Sequence, residues 1–74
     1  MESGTLQRAV GVNLRRLREA RGLSQEAFAL ELDFHRTYIG GVERGERNLT
    51  LQSVERFADA LGVSPWVLLD DPEA

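Results

Sequence analysis

The sequence contains no cysteine, no lysine and only one histidine, His35. Without cysteine there can be no disulfide bond, thiolate metal ligand or catalytic thiol. One histidine cannot build a histidine metal cluster, so neither a metal nor a cofactor is expected. No apolar run approaches the roughly 20 residues of a membrane-spanning helix, and the N-terminus lacks a signal-peptide pattern. These absences predict a soluble, cytoplasmic module without membrane association. No nucleophile–base pair is evident, which argues against an enzyme.

Charge is distributed unevenly along the 74 residues, whose formal net charge is −3. Every basic residue is an arginine within the first 56 positions, whereas all the charged residues of 57–74 are acidic. An acidic chain can still bind nucleic acid if its arginines share one face. The length allows one small domain over residues 1–74, with a core of about 5–69 and an acidic tail, 70–74, that is expected to fray.

Apolar spacing is helical in the first segment. Steps of four, four and three residues along one stripe connect Leu6, Val10, Leu14 and Leu17. This periodicity predicts a helix over 5–21. Thr5 is the predicted cap of this helix, and Gly22 is the residue expected to end it.

The next two helices are separated by only three residues. Ser24 is a typical N-cap for Gln25–Leu32, and Gly45 closes the following segment, Arg36–Arg44. A connection this short predicts two helices that cross steeply, which is helix-turn-helix geometry.

Two further helices complete an all-α fold of five helices. Thr50 caps Leu51–Leu61, and Ser64 followed by proline opens Pro65–Leu69. The apolar positions expected to point inward from the longer helix are Val54, Phe57, Ala58 and Leu61. No alternation typical of a β-strand is present.

The order of these motifs resembles the helix-turn-helix family of phage repressors and Cro proteins, over about residues 6–69. The motifs that carry the resemblance are Leu23-Ser24-Gln25-Glu26, Arg36-Thr37-Tyr38-Ile39, Val42-Glu43-Arg44-Gly45 and Leu61-Gly62-Val63-Ser64. The segments 35–39 and 44–50 are more narrowly similar to the small controller proteins of restriction–modification systems. The resemblance implies a repressor-like DNA-binding domain.

The resemblance also implies which residues of the third helix contact DNA. Arg36 would read a base, because a guanidinium can donate two hydrogen bonds to guanine. Thr37 would contact a phosphate or a thymine methyl, and Tyr38 the DNA backbone or a base edge. The alternatives are a solvated Arg36 or one paired with Asp33, and a half-buried packing role for Tyr38.

Further DNA contacts are expected beside this helix. Gln25 would bind a phosphate at the positive end of the second helix, unless it is an ordinary exposed glutamine. In the loop after the third helix, Arg44 and Arg47 would lie along the phosphates, with Arg47 reaching a phosphate or a neighbouring base. Asn48 would contact a phosphate or close the loop. Glu46 would repel phosphate unless it pairs with one of these arginines or turns outward.

Other positions have structural interpretations. In the family, the positions of Arg18 and Glu43 form a partly buried ion pair that locks the first helix against the third. His35 stands where a serine-like cap is usual. Gly40 and Gly41 are unusual inside a helix, and one explanation is a close approach of the backbone to DNA or to the second helix.

Apolar residues near the C-terminus exceed what a five-residue helix needs. Any one of them could instead simply cap the core. Together they indicate a self-complementary patch for a two-fold homodimer, formed by Phe57, Val63, Trp66, Val67 and Leu69. A dimer could span two half-sites about 34–36 Å apart on double-stranded DNA.

These features predict a sequence-specific transcriptional regulator of the controller type that binds a near-palindromic operator as a homodimer. It would occlude a promoter or recruit RNA polymerase from an adjacent site. The alternatives are a protein-interaction module, or an antitoxin that binds DNA and also masks a toxin.

Overall fold

The computed structural model describes residues 1–73, which form five α-helices and no strand. The helices are α1 (Thr5–Ala20), α2 (Gln25–Leu32), α3 (Arg36–Glu43), α4 (Leu51–Leu61) and α5 (Pro65–Leu69). The predicted all-α fold is therefore confirmed. Ala74, the last residue of the predicted acidic tail, lies outside the described residues. None of the helices described is both long and apolar enough to span a membrane.

Local side-chain chemistry determines most helix starts. The hydroxyls of Ser24, Thr50 and Ser64 accept hydrogen bonds from backbone N–H groups in the first turns of α2, α4 and α5. Each cap pairs one of the N–H groups that a helix N-terminus leaves without an intrahelical partner.

The predicted limits of α1 and α3 need small corrections. Thr5 does not cap α1: it lies inside the first turn, its hydroxyl donates to the carbonyl of Glu2 at 2.8 Å, and Gly4 is the preceding residue. The helix ends at Ala20 rather than at residue 21. α3 ends at Glu43, and Arg44 is the residue that follows it.

The turn between α2 and α3 is compact. Asp33 adopts a left-handed conformation, with φ 60° and ψ 38°, which aspartate tolerates better than most residues. The Arg56 guanidinium of α4 donates to the carbonyl of Leu32 at 2.6 Å and lies 4.3 Å from the ring centroid of Phe34. The turn is thus held from within the domain by a helix distant in sequence.

The core lies where α1, α2, α3 and α4 meet, with α5 covering its end. Its largest fully buried side chains are Phe28, Phe57, Leu14, Ile39, Leu68, Val10 and Val42. The predicted stripe of α1 is only partly correct, because Leu6 remains half exposed near the start of the helix.

Gly11 allows α1 and α3 to approach each other closely. A Cβ at this position would lie 2.5 Å from the carbonyl oxygen of Val42 and 2.8 Å from that of Glu43. Both atoms belong to the backbone of the last two residues of α3. Only glycine therefore fits this crossing without a shift of the helices.

The C-terminal segment is tied to α1 by a buried amide. Asn13 Nδ2 donates to the carbonyl of Leu68 at 2.9 Å and to that of Asp70 at 2.8 Å. The fraying expected for the acidic tail therefore does not include Asp70. The two bonds hold the end of α5 against α1.

Candidate nucleic-acid interface

The outward face of α3 carries the residues that can meet a ligand. Ile39 and Val42 point into the core, while Arg36 and Thr37 of the first turn are exposed. Steps of four and three residues place Thr37, Gly41 and Arg44 along the side of α3 opposite the core. We call this side the outward face.

A buried ion pair fixes α3 to α1. Arg18 Nε lies 2.6 Å from Glu43 Oε2, and Arg18 Nη2 lies 3.0 Å from Glu43 Oε1, so the pair is bidentate. The two side chains are only 8% and 2% exposed. A third donor, Arg18 Nη1, bonds the carbonyl of Leu23 at 2.6 Å. The hydrogen bonds that Arg18 donates to Glu43 raise the pKa of the Arg18 guanidinium above its ordinary value, despite the opposing effect of burial.

Gln25 is half-buried rather than a freely exposed glutamine. Its Nε2 donates to Glu43 Oε1 at 2.9 Å, so its amide is bound to the same carboxylate as Arg18. An amide nitrogen carries two protons, and one is left for a further acceptor. The first residue of α2 is thereby oriented by the ion pair that holds α3.

His35 supplies the N-cap of α3. Its Nδ1 accepts a hydrogen bond from the backbone N–H of Thr37 at 3.0 Å. The imidazole therefore takes the place of the serine-like cap, and it does so with an unprotonated Nδ1.

Tyr38 is half-buried within an aromatic cluster. Its ring centroid lies 4.8 Å from that of Phe34 and 6.4 Å from that of Phe57. The packing alternative therefore describes the ring of Tyr38. The cluster holds this ring in a defined position beside the outward face.

The three candidate arginines differ in their acidic neighbours. Arg36 Nη1 lies 3.9 Å from Glu26 Oε2, and both side chains are mostly exposed. Arg44 Nε lies 3.0 Å from Glu46 Oε1, which is one of the arrangements expected for that glutamate. Within residues 1–73, no carboxylate lies within salt-bridge distance of Arg47.

Arginine side chains cover the two adjacent glycines of α3. A Cβ at Gly40 would lie 3.1 Å from Arg44 Nη1, and one at Gly41 would lie 2.9 Å from Arg47 Nε. A Cβ at Gly40 would also lie 3.4 Å from Gln25 Oε1. Gly40 therefore lies close to α2, which is one of the two neighbours expected for these glycines. Asn48 is exposed in the loop that follows.

The predicted dimer patch is only partly available on the surface. Phe57 was the wrong choice, because it is fully buried in the core of its own protomer, where it packs against Phe34. Val63 and Leu69 are half-buried, and both pack against the core. Trp66 is 75% exposed and Val67 is also exposed, so these two remain candidates for contact with another molecule.

Some important residues were not singled out from the sequence. Gly11 and Asn13 both lie in α1, within a segment that periodicity alone interprets as an ordinary amphipathic helix. A glycine in the interior of a long helix is a usable signal, since it is unfavourable there without a packing reason. Asn13 offered no comparable signal, because its partners are backbone carbonyls 55 and 57 residues away.

The fold and the exposed first turn of α3 define a helix-turn-helix domain, with α2 and α3 as the paired helices. Residues 14–65 match the helix-turn-helix family. The chain belongs to this family, and within it resembles the restriction–modification controller proteins.

Individual relatives support this assignment. The control protein C.BamHI of Bacillus amyloliquefaciens is 48% identical over 61 residues, which cover 81% of this chain and 75% of that protein. The crystal structure of the restriction–modification controller protein C.AhdI from Aeromonas hydrophila has a TM-score of 0.78 at 45% identity, covering 84% of this chain and 94% of the other. The controller protein C.Esp1396I, solved as a tetramer with its natural 35-base-pair operator, has a TM-score of 0.76 at 38% identity, covering 85% and 83%.

Proposed function

We propose that this chain is a sequence-specific transcriptional regulator that binds a near-palindromic operator as a homodimer, and that it controls a restriction–modification system. The observation that carries the proposal is the exposed first turn of α3, with Arg36 and Thr37 on a helix locked to α1 by the Arg18–Glu43 pair. A helix held in this way can enter the major groove with its N-terminal residues toward the bases. The restriction–modification controllers among its relatives, one of them solved on its operator, support the same function.

The proposed DNA surface consists of residues from α2, α3 and the following loop. Its members are Gln25, Arg36, Thr37, Tyr38, Arg44, Arg47 and Asn48. Arg36 would read a base. Gln25 Nε2, which already donates one hydrogen bond to Glu43, would donate its second to a phosphate. Glu26 and Glu46 would reduce the attraction to DNA, since each lies beside one of the arginines.

Regulation would follow from where the operator lies. An operator that overlaps a promoter would let the bound protein exclude RNA polymerase. An operator beside a promoter would let it recruit RNA polymerase as a partner. Both routes require DNA occupancy in the cytoplasm, and one domain of about residues 5–69 would suffice for it.

Arg36→Ala is expected to remove preference at one base pair of each half-site while leaving folding intact. One bidentate arginine–guanine contact is worth about 1–3 kcal/mol of discrimination, or about 5- to 150-fold. The test is selection of bound duplexes from random DNA, followed by comparison of the recovered sequences. Arg16→Ala, which removes an exposed arginine of α1, is the matched control and should recover the wild-type sequence. Recovery of the same sequence by Arg36→Ala would show that another residue reads the operator.

The dimer is expected to depend on Trp66. Trp66→Glu should raise its dissociation constant by about 30-fold or more, because a buried tryptophan at an interface is commonly worth 2 kcal/mol or more. Analytical ultracentrifugation measures this constant, and operator affinity should fall with it. Leu30→Glu is the control, since Leu30 is 82% exposed on α2, outside the proposed patch. If Trp66→Glu dimerised as tightly as Leu30→Glu, the dimer interface would not include Trp66.

A further inference from the structure

The Arg47 side chain fills the space that Gly41 leaves on the outward face of α3. A Cβ at Gly41 would lie 2.9 Å from Nε, 3.0 Å from Cγ and 3.5 Å from Cδ of Arg47. Arg47 belongs to the loop after α3, yet its side chain lies directly against this helix. A larger residue at position 41 would displace it.

The ring of Tyr38 supports the guanidinium of Arg47. Arg47 Cζ lies 5.5 Å from the Tyr38 ring centroid, and the ring is itself held by Phe34. A guanidinium packed on an aromatic ring uses its planar face, so the N–H donors at its edge stay available. The Arg47 side chain therefore lies against α3 and the Tyr38 ring in the free protein, and it can still donate hydrogen bonds.

Among the described residues, the Arg47 guanidinium has no ion-pair partner. Over residues 1–73, Arg36 and Arg44 each have a glutamate within 4 Å, whereas no carboxylate lies that close to Arg47. An anion near the outward face would thus meet the Arg47 guanidinium without first displacing a carboxylate.

We propose that Gly41 is a positioning residue for DNA binding, because it keeps open the space in which Arg47 is held over the outward face of α3. The inference rests on the proposed function and deepens it. Binding normally loses entropy when a long side chain is ordered, and a side chain ordered in advance avoids that loss. Gly41 would therefore act through Arg47, without touching DNA itself.

A different explanation for the glycine is a close approach of the α3 backbone to DNA. The two explanations differ in one measurable way. If Gly41 acts through Arg47, a methyl group at position 41 affects binding only while the Arg47 side chain is present. If the backbone approaches DNA, the methyl group obstructs the duplex whether or not Arg47 is present.

The experiment is a double-mutant cycle on the duplex that the wild-type protein selects from random DNA. Gly41→Ala is expected to weaken binding about two- to tenfold, the factor that ordering one long side chain is worth. Added to Arg47→Ala, the same change should alter affinity less than about twofold. Arg47→Ala itself should lower the salt slope by about one, since it removes one phosphate contact.

Thermal unfolding separates this effect from damage to the fold. Gly41→Ala should unfold at the wild-type temperature or higher, because alanine is favoured in a helix interior and the group it displaces is an exposed side chain rather than backbone. A merely structural role for Gly41 would instead reduce stability and binding together, which would overturn the proposal.

Gly40→Ala is the matched control, because a Cβ there would meet Arg44 and Gln25 rather than Arg47. Its effect on binding should be the same with and without the Arg47 side chain. An equal loss from Gly41→Ala in both backgrounds, or wild-type affinity for the single variant, overturns the inference. A wild-type protein that selects no duplex overturns the proposed function itself, and is recognised before any variant is made.

Discussion

Glu43→Ala is expected to lower the free energy of unfolding by about 3–5 kcal/mol, because it leaves the buried charge of Arg18 without its partner. Glu43 accepts two hydrogen bonds from Arg18 and one from Gln25, and its side chain is only 2% exposed. A domain of this size unfolds with roughly 4–11 kcal/mol in total. The variant would therefore lose much of its stability.

Urea unfolding monitored by circular dichroism measures this loss. The melting temperature should also fall by more than about 12 °C. Glu46→Ala is the matched control, since it removes a glutamate from the exposed pair with Arg44, and exposed pairs contribute less than about 1 kcal/mol. If the two variants unfolded at the same urea concentration, the Arg18–Glu43 pair would not be what holds α1 to α3.

Gly11→Ala is expected to lower the free energy of unfolding by about 3 kcal/mol, the upper end of the usual cost of overpacking. The new methyl carbon would lie 2.5 Å and 2.8 Å from the carbonyl oxygens of Val42 and Glu43. These are backbone atoms, so α3 must shift as a unit. The helix propensity of alanine offsets only about 1 kcal/mol of this.

Comparison with Gly41→Ala isolates the cause. Both changes add a methyl group inside a helix, but position 41 faces an exposed arginine side chain and position 11 faces the backbone of α3. Urea unfolding should therefore show a loss of stability for Gly11→Ala and no loss for Gly41→Ala. A Gly11→Ala protein as stable as the wild type would mean that α1 and α3 can separate at little cost.

Both predictions concern the same contact between α1 and α3. Gly11 sets how closely the helices approach, and the Arg18–Glu43 pair sets their orientation. The proposed DNA-reading residues belong to α3, so their position depends on this contact. Changes at either site are expected to weaken operator binding even where the domain still folds.

The helices and their order could be predicted from the sequence because the signals are local. Caps such as Ser24 and Thr50 act within three residues, and apolar periodicity acts within one helix. The short α2–α3 connection also predicted the helix-turn-helix arrangement, which the family match confirms. The exception was the start of α1, where the backbone carbonyl of Glu2 binds the hydroxyl of Thr5 that the prediction used as a cap.

The environment of each candidate residue was harder to predict. Periodicity shows that Phe57 is apolar and on the inner face of α4, but not that it is enclosed entirely by its own protomer. The sequence likewise indicated that Gln25 begins a helix, but not that its amide binds Glu43 across the interface between α2 and α3.

Residue type and local spacing were thus sufficient for five helices, the caps of α2, α4 and α5, and the helix-turn-helix arrangement. Only the packing of the helices determined three other features. Gly11 lies against the backbone of α3, Asn13 anchors the C-terminal segment, and Arg47 is the arginine that lies over Gly41. Helix formation depends on neighbours within a few residues, whereas these contacts join groups that come together only when the helices pack.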